Sequence, residues 1–186
     1  DIKSFDEIKT IIPRVENRIR SGISNLFNFK SLKKLIDIDI LAILPRRIKI
    51  LKSSTDGFKI ADMVDSLIST DRLVQRSKGV GLLITGLSQA VEREKPDFLL
   101  IVGDREETIA TAIVGNYMNK LVVHIAGGDP AYGNTDDPIR FAVSKLAHIH
   151  CCLANIYAEN LIKIGEEKRR VFWTGYPGYA NIDNIK

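Results

Sequence analysis

Three aspartates are the residues in this sequence best placed to do chemistry: Asp104, Asp129 and Asp136. Gly103-Asp104-Arg105 directly follows the apolar run 98–102, and Gly127-Gly128-Asp129 follows the apolar run 121–125. Asp136-Asp137-Pro138 opens a segment with helical spacing. Several carboxylates on one site are what proton-transfer chemistry needs, one to take a proton and another to assist a leaving group or activate water. Each also has an ordinary structural role open to it. Asp104 fits the cap of a helix beginning at Glu106, and Asp129 in Gly-Gly-Asp-Pro fits a turn. Pro is favoured at the first helical position with Asp before it, so Asp137 is the expected cap and Asp136 is left to face a cleft. Arg140, one helical turn after Asp136, is expected to pair with it or orient it.

The elements around these residues supply a reason for them to meet. Residues 78–94 carry Val80, Leu83, Ile84, Leu87 and Val91 at helical spacing, and Lys95-Pro96-Asp97 stops that helix. The run 98–102 is continuously apolar, as in a strand covered on both faces. A helix over 106–119, a strand over 121–125, a helix over 136–148 and a strand over 149–153 follow. A helix over 155–164, with Gly165 as its C-terminal cap, and a strand over 171–174 complete the pattern. Such alternation implies an α/β fold: a Rossmann-like parallel sheet with helices on both faces and right-handed crossovers. Ligands in such sheets bind outside the carboxyl ends of the strands, and all three aspartates fall on that edge.

The first part of the chain reads differently. Residues 5–12 and 32–44 are Ile/Leu/Lys-rich and predicted helical, Pro13 interrupting one and Pro45 ending the other. Ser53-Ser54-Thr55-Asp56-Gly57 reads as a loop. The expected division is a helical N-terminal segment over 1–54 and a Rossmann-like domain over 55–186.

Bulk properties narrow the function classes. The chain has 186 residues, 45% of them hydrophobic, with net charge +4 concentrated before residue 52. That basic stretch lacks the interleaved aromatics of a nucleic-acid surface, so no nucleic-acid partner is expected, while an anionic small molecule fits the charge. No apolar run approaches the ~20 residues that span a bilayer and no signal peptide opens the chain, so no membrane partner is expected and the cytoplasm is the expected location. Cys151 and Cys152 are adjacent, which disfavours a disulfide between them and suits two small buried side chains. His124 lies inside an apolar strand and reads as a core or supporting group. His148 and His150 have no third ligand in view, so no metal is expected.

Taken in order, the motifs resemble one family. Lys95-Pro96-Asp97 followed by Gly103-Asp104-Arg105-Glu106-Glu107-Thr108 resembles the K-P-D…G-D-R-x-E-T stretch of the UDP-N-acetylglucosamine 2-epimerases. His124-Ile125-Ala126-Gly127-Gly128-Asp129 resembles their H-I-x-G-G-[ED] loop. Residues 133–148 resemble their G-x-x-D-[DE]-x-I-R helix, and residues 171–178 the strand before their second domain. The resemblance covers 56–182. It implies one half of a glycosyltransferase-B-like architecture, with the C-terminal UDP-binding domain absent from this stretch. It further implies UDP-N-acetylglucosamine as substrate, a homo-oligomer and no cofactor. The implied chemistry removes the C2 proton and UDP to give a 2-acetamidoglucal; hydrolysing members then release N-acetylmannosamine, as in sialic acid synthesis, and others return UDP-N-acetylmannosamine. The acidic positions of the family fall on Asp104, Asp129 and Asp136, and the resemblance implies substrate contacts from Arg105, Gly127, Gly128 and Arg140. Asp129 stands where many hydrolysing members have Glu, Phe141 where His is usual and Tyr132 where an acidic residue is common. The family's opening strand with its G-T-R motif has no clear counterpart; residues 38–44 followed by Pro45-Arg46-Arg47 come nearest. A domain that binds a sugar nucleotide without turnover, and a glycosyltransferase-B-type transferase, remain as alternatives.

Overall fold

The structure, a computed structural model, describes residues 40–44, 48–54, 57–64, 73–132 and 136–176. Seven strands form one sheet in the order β3-β2-β1-β4-β5-β6-β7. They are β1 Ile40–Leu44, β2 Ile48–Ser54, β3 Gly57–Val64, β4 Phe98–Val102, β5 Leu121–Ile125, β6 Ile149–Cys152 and β7 Val171–Trp173. The helices are α1 Leu73–Glu94, α2 Glu106–Tyr117, α3 Asp136–Leu146 and α4 Asn155–Lys163, with a 3-10 turn at Lys168–Arg170 before β7.

The strands β1, β4, β5, β6 and β7 run parallel in register, Leu100 opposite Val123 and Ile125 opposite Cys151. The α/β fold expected from the apolar runs and helical spacings is therefore present, its boundaries trimmed by a residue or two where helix ends turn. α1 starts earlier than expected, at Leu73, and stops where Lys95 takes a positive φ of 47° ahead of Pro96. Gly165 follows α4 with φ +96°, and its N–H donates to the Ile162 carbonyl at 3.0 Å, as a C-terminal cap should.

The helical reading of 32–44 is corrected for Ile40–Leu44, and Ile48–Ser54, inside the segment expected to be helical, is a strand as well. The sequence Arg47-Ile48-Lys49-Ile50 alternates basic and apolar residues with the period of a strand, the alternation slipping at Leu51 where the pairing with β3 shifts register, and its β-branched residues favour extended backbone. The connections at 45–47 and 55–56 are too short for the crossover of about a dozen residues that parallel pairing requires, so β1, β2 and β3 form an antiparallel meander. The loop expected at 53–57 shrinks to a hairpin connection between β2 and β3. β1 lies parallel beside β4, the central place for which the sequence offered no clear strand. The predicted helices over 5–12 and 32–39 lie outside the described residues.

Among the described residues one face of the sheet carries the helices, where helices on both faces were expected. α1 sets Leu83, Leu87, Ala90 and Val91 against Leu99 of β4 and Ala110 and Val114 of α2. α2 and α3 cover Ile101 and Val122 with Ala112, Val143 and Ala147. Each leucine fully removed from water here contributes about 1.5–3 kcal/mol before entropy is charged against it. On the opposite face Leu100, Val123, Ile125, Ile149, Cys151 and Phe172 are also buried, in a cluster that draws on strand and loop residues among those described. Burial on both faces is why these strands read as unbroken apolar runs. Among the described residues no helix is long and apolar enough to cross a membrane.

Candidate active site

The sheet delivers two of the aspartates side by side. Just past the strand ends the Gly103 N–H donates to the Ile125 carbonyl and the Ala126 N–H to the Cys151 carbonyl, both at 3.0 Å. The chain therefore leaves β4 and β5 in register, and Asp104 and Asp129 follow within a few residues. Arg140, in the second turn of α3, joins them. Its guanidinium pairs with the Asp104 carboxylate, and its Nη1 lies 3.2 Å from Asp129 Oδ2. The Arg140 side chain is only 12% exposed, whereas that of Asp129 is 33% exposed and open to solvent. A planar guanidinium with donors on two edges suits this bridging of two carboxylates.

Arg140 thus departs from the role expected of it. Instead of pairing along its own helix with Asp136, it crosses to the two loop carboxylates, which compete for the same fork. Asp136 has a different cation within reach: Arg76 Nη2 of α1 lies 4.0 Å from Asp136 Oδ1. Arg76 also pairs with Glu106, at the start of α2. The capping roles shift as well. The cap position of α2 is Arg105, without a side-chain cap hydrogen bond, so Asp104 is committed to Arg140 rather than to the helix. Asp137 accepts from the Ala131 N–H at 2.7 Å and so holds the main chain at Ala131 to the start of α3. Glu106 and Glu107 lie in the first turn of α2, where the helix dipole favours negative charge. Burial pushes the Glu107 carboxyl above its ordinary value.

Behind the rim sits a fully buried polar group, His124 of β5. Burial lowers its pKa to about 4, so it is neutral near pH 7. His124 Nε2 is 2.8 Å from the Gly103 carbonyl oxygen, which can only accept, so Nε2 carries the proton. Nδ1 is then an acceptor, and the single Ser144 hydroxyl proton is shared between two acceptors within its reach, His124 Nδ1 at 3.3 Å and the Arg140 carbonyl at 3.0 Å. A Cβ on Gly127 would lie 3.0 Å from both His124 Nδ1 and Ser144 Oγ, so the glycine lets the loop pack directly on this pair. His124 therefore touches the main chain one residue before Asp104, the loop leading to Asp129 and, through Ser144, the helix that carries Arg140.

The other sequence candidates fall in two groups. Arg105, expected to contact substrate, is exposed on the rim, and Gly127 and Gly128 form the turn before Asp129. Residues 133–135 lie outside the described residues, as do 177 and 178. His148 and His150 have structural partners away from the rim. His148 Nδ1 accepts from the Val122 N–H at 3.1 Å, and His150 Nε2 lies 3.2 Å from Glu166 Oε2. Glu166 also binds Arg170 at 2.9 Å and Lys145 at 2.8 Å, a charged cluster at the opposite edge of the sheet.

Three residues at the site escaped the sequence reading: Arg76, Tyr157 and Asn160. Asn160 Nδ2 donates to the Gly128 carbonyl at 3.0 Å, and the Tyr157 main chain packs on the same glycine, whose added Cβ would lie 2.1 Å from the Tyr157 carbonyl oxygen. Nothing local in the sequence marks them, because each reaches the rim from a helix that the sheet, not the chain, brings near.

The fold and rim together define a Rossmann-like α/β domain whose carboxylates converge outside the carboxyl ends of parallel strands. Residues 47–186 match the family model described as UDP-N-acetylglucosamine 2-epimerase, and the chain belongs to that family. It is 37% identical over 128 residues to the GDP/UDP-N,N'-diacetylbacillosamine 2-epimerase (hydrolyzing) of Campylobacter jejuni, covering 69% of this chain and 33% of that protein. It is 33% identical to the UDP-N,N'-diacetylbacillosamine 2-epimerase (hydrolyzing) of Legionella pneumophila, covering 70% of this chain and 34% of that protein. Among solved structures it resembles the UDP-GlcNAc 2-epimerase of Neisseria meningitidis bound to UDP-GlcNAc, with a TM-score of 0.56 and 21% identity over 64% of this chain and 34% of that one. The chain spans about a third of the length of the curated relatives it matches.

Proposed function

We propose that this chain forms the carboxylate-bearing half of the active site of a hydrolysing 2-epimerase acting on a UDP-linked 2-acetamido sugar. The substrate is UDP-N-acetylglucosamine or UDP-N,N'-diacetylbacillosamine, the latter appearing in the names of both the Campylobacter and the Legionella relatives. The observation that carries the proposal is Arg140 drawing Asp104 and Asp129 together on the rim, with Asp136 held nearby beside Arg76.

The C2 proton of such a sugar is not adjacent to a carbonyl, so its removal requires a placed base, and departure of UDP requires an opposing group. As the base takes the C2 proton, the C2–H electron pair forms the C1=C2 bond and the C1–O pair leaves with UDP. Water then adds its hydroxyl to C1 and a proton returns to C2 on the other face, releasing the free 2-epimeric sugar and UDP. Asp104, Asp129 and Asp136 divide the proton transfers. Arg140 fixes two of them, and Arg105 with the Gly127-Gly128 turn contacts substrate. The hydrolysing assignment rests on the names of the two relatives.

The test is turnover of both UDP sugars by the whole protein, with the products separated by chromatography, for Asp104→Asn, Asp129→Asn and Asp136→Asn. Each is expected to lose at least about a hundredfold in kcat, the usual scale of a lost acid–base group. Free sugar plus UDP as products supports hydrolysis, and a UDP-linked epimer rejects it. Normal turnover in all three variants rejects the carboxylate assignment.

A further inference from the structure

α1, α2 and α3 pack side by side and begin at the same edge of the sheet, the one that carries the rim. Their first turns differ in charge. α2 opens with Glu106 and Glu107 and α3 with Asp136 and Asp137, as the dipole of each helix favours. The first turn of α1 holds no acidic residue and carries Arg76 instead. A cation there is set against the dipole of its own helix, and Arg76 finds its partners on the two neighbouring helices. Its Nε donates to Glu106 Oε1 at 2.5 Å, and its Nη2 pairs with the same oxygen. Nη2 also lies 4.0 Å from Asp136 Oδ1. One guanidinium thus joins three helices that follow one another in the chain, and all three side chains are half-buried.

We propose that Arg76, its guanidinium fixed by Glu106, is a positioning residue for Asp136. This rests on the reading of Asp136 as a reacting carboxylate. Arg140 is not available for the task, because its fork is committed to Asp104 and Asp129. The rim therefore has two arginines with divided work, Arg140 for the two loop carboxylates and Arg76 for the one on the helix. Nη2 carries two protons, enough to face Glu106 and Asp136 at once. Its charge also offsets the repulsion that Glu106 would exert on the Asp136 carboxylate. A separation of 4.0 Å is an ion-pair distance rather than a hydrogen bond, so the hold is electrostatic and has the modest size of a part-exposed pair. Arg76 needs no contact with the sugar; it acts through Asp136.

The experiment compares Arg76→Met, Arg76→Lys, Asp136→Asn and the double variant Arg76→Met/Asp136→Asn in the whole protein. Arg76→Met keeps most of the length of the side chain and removes its charge. Its kcat is expected to fall about fivefold, the rate equivalent of one part-exposed ion pair, with KM within about twofold. Arg76→Lys keeps a cation opposite Asp136 and is expected to stay within about twofold of the unaltered protein. The double variant is expected to be no slower than Asp136→Asn alone, because Arg76 has no target once the carboxylate is gone. Carbon-13 NMR of the aspartate Cγ gives a readout independent of turnover. The Asp136 signal, identified by its loss in Asp136→Asn, is expected to shift in Arg76→Met and to return toward its place in Arg76→Lys. An unchanged kcat in Arg76→Met, an equally deep loss in Arg76→Lys, multiplicative losses in the double variant, or an Asp136 signal indifferent to Arg76→Met would overturn the proposal. If the unaltered protein turns over neither UDP sugar, or Asp136→Asn turns over normally, the functional proposal for Asp136 fails, and the Cγ signal still decides whether Arg76 engages it.

Discussion

Acidification probes the packing behind the rim through His124. In the folded protein burial holds this imidazole near pKa 4, against about 6.5 in the unfolded chain. A base whose folded pKa is lowered takes up its proton first in the unfolded state. The stability tied to its neutral form is therefore complete above about pH 6.5 and is lost as pH falls toward 4. At pH 5 that loss works out to about 2 kcal/mol. His150 is also buried and held at about 4, chiefly by burial, and adds about the same, for a combined loss of roughly 4 kcal/mol. Set against a typical total of about 5–15 kcal/mol, that is a large share, and it falls mostly before ordinary carboxylates titrate. Glu107 works in the opposite sense, since its raised pKa makes the folded state take up that proton first. Urea unfolding at pH 7.5, 6 and 5 measures the slope. His124→Gln retains an amide donor for the Gly103 carbonyl but cannot titrate, so its loss between pH 7.5 and 5 should be about 2 kcal/mol smaller. Equal losses in the two proteins, together with a His124 ring proton titrating near 6.5, would refute the reasoning.

Two further outcomes follow from close packing and burial. Gly128→Ala places a methyl group 2.1 Å from the Tyr157 carbonyl at a positive φ, so urea unfolding should show a loss of about 1–3 kcal/mol, with turnover falling further as Asp129 moves. Burial pushes the Cys151 and Cys152 thiols up to about 12, so neither should react with iodoacetamide at pH 8 until urea is added; rapid labelling of the native protein would contradict this.

The central strands were legible because each is sealed on both faces, and an unbroken apolar run such as Phe98–Val102 suits few environments besides a covered sheet. The rim followed from them: once the strands are parallel, residues just past their ends must converge, and Asp104 and Asp129 do. What composition obscured was the meander. Isoleucine and leucine among lysines suit a helix as well as a strand when read by abundance, and only the two-residue period of Ile48-Lys49-Ile50 separates them. The ion pairing was legible only in part. Spacing along one helix pointed Arg140 at Asp136, but the sheet register places two other carboxylates within its reach. Arg76, Tyr157 and Asn160 were invisible because their partners are separated from them by whole elements of chain.

The antiparallel meander bears on the order in which the molecule assembles. β1 must find β4 across the full length of β2, β3 and α1, pairing residues as distant as Ile40 and Phe98. Closing so long a loop costs entropy before any contact repays it, which slows the step. The rim does not wait for it. Asp104, Asp129, Arg140, Tyr157 and Asn160 all belong to the stretch from β4 to α4, within which β4 pairs with β5 and β5 with β6, each its nearest successor. The carboxylate constellation can therefore form as a local folding unit, with the meander joining the sheet edge at β4 afterwards.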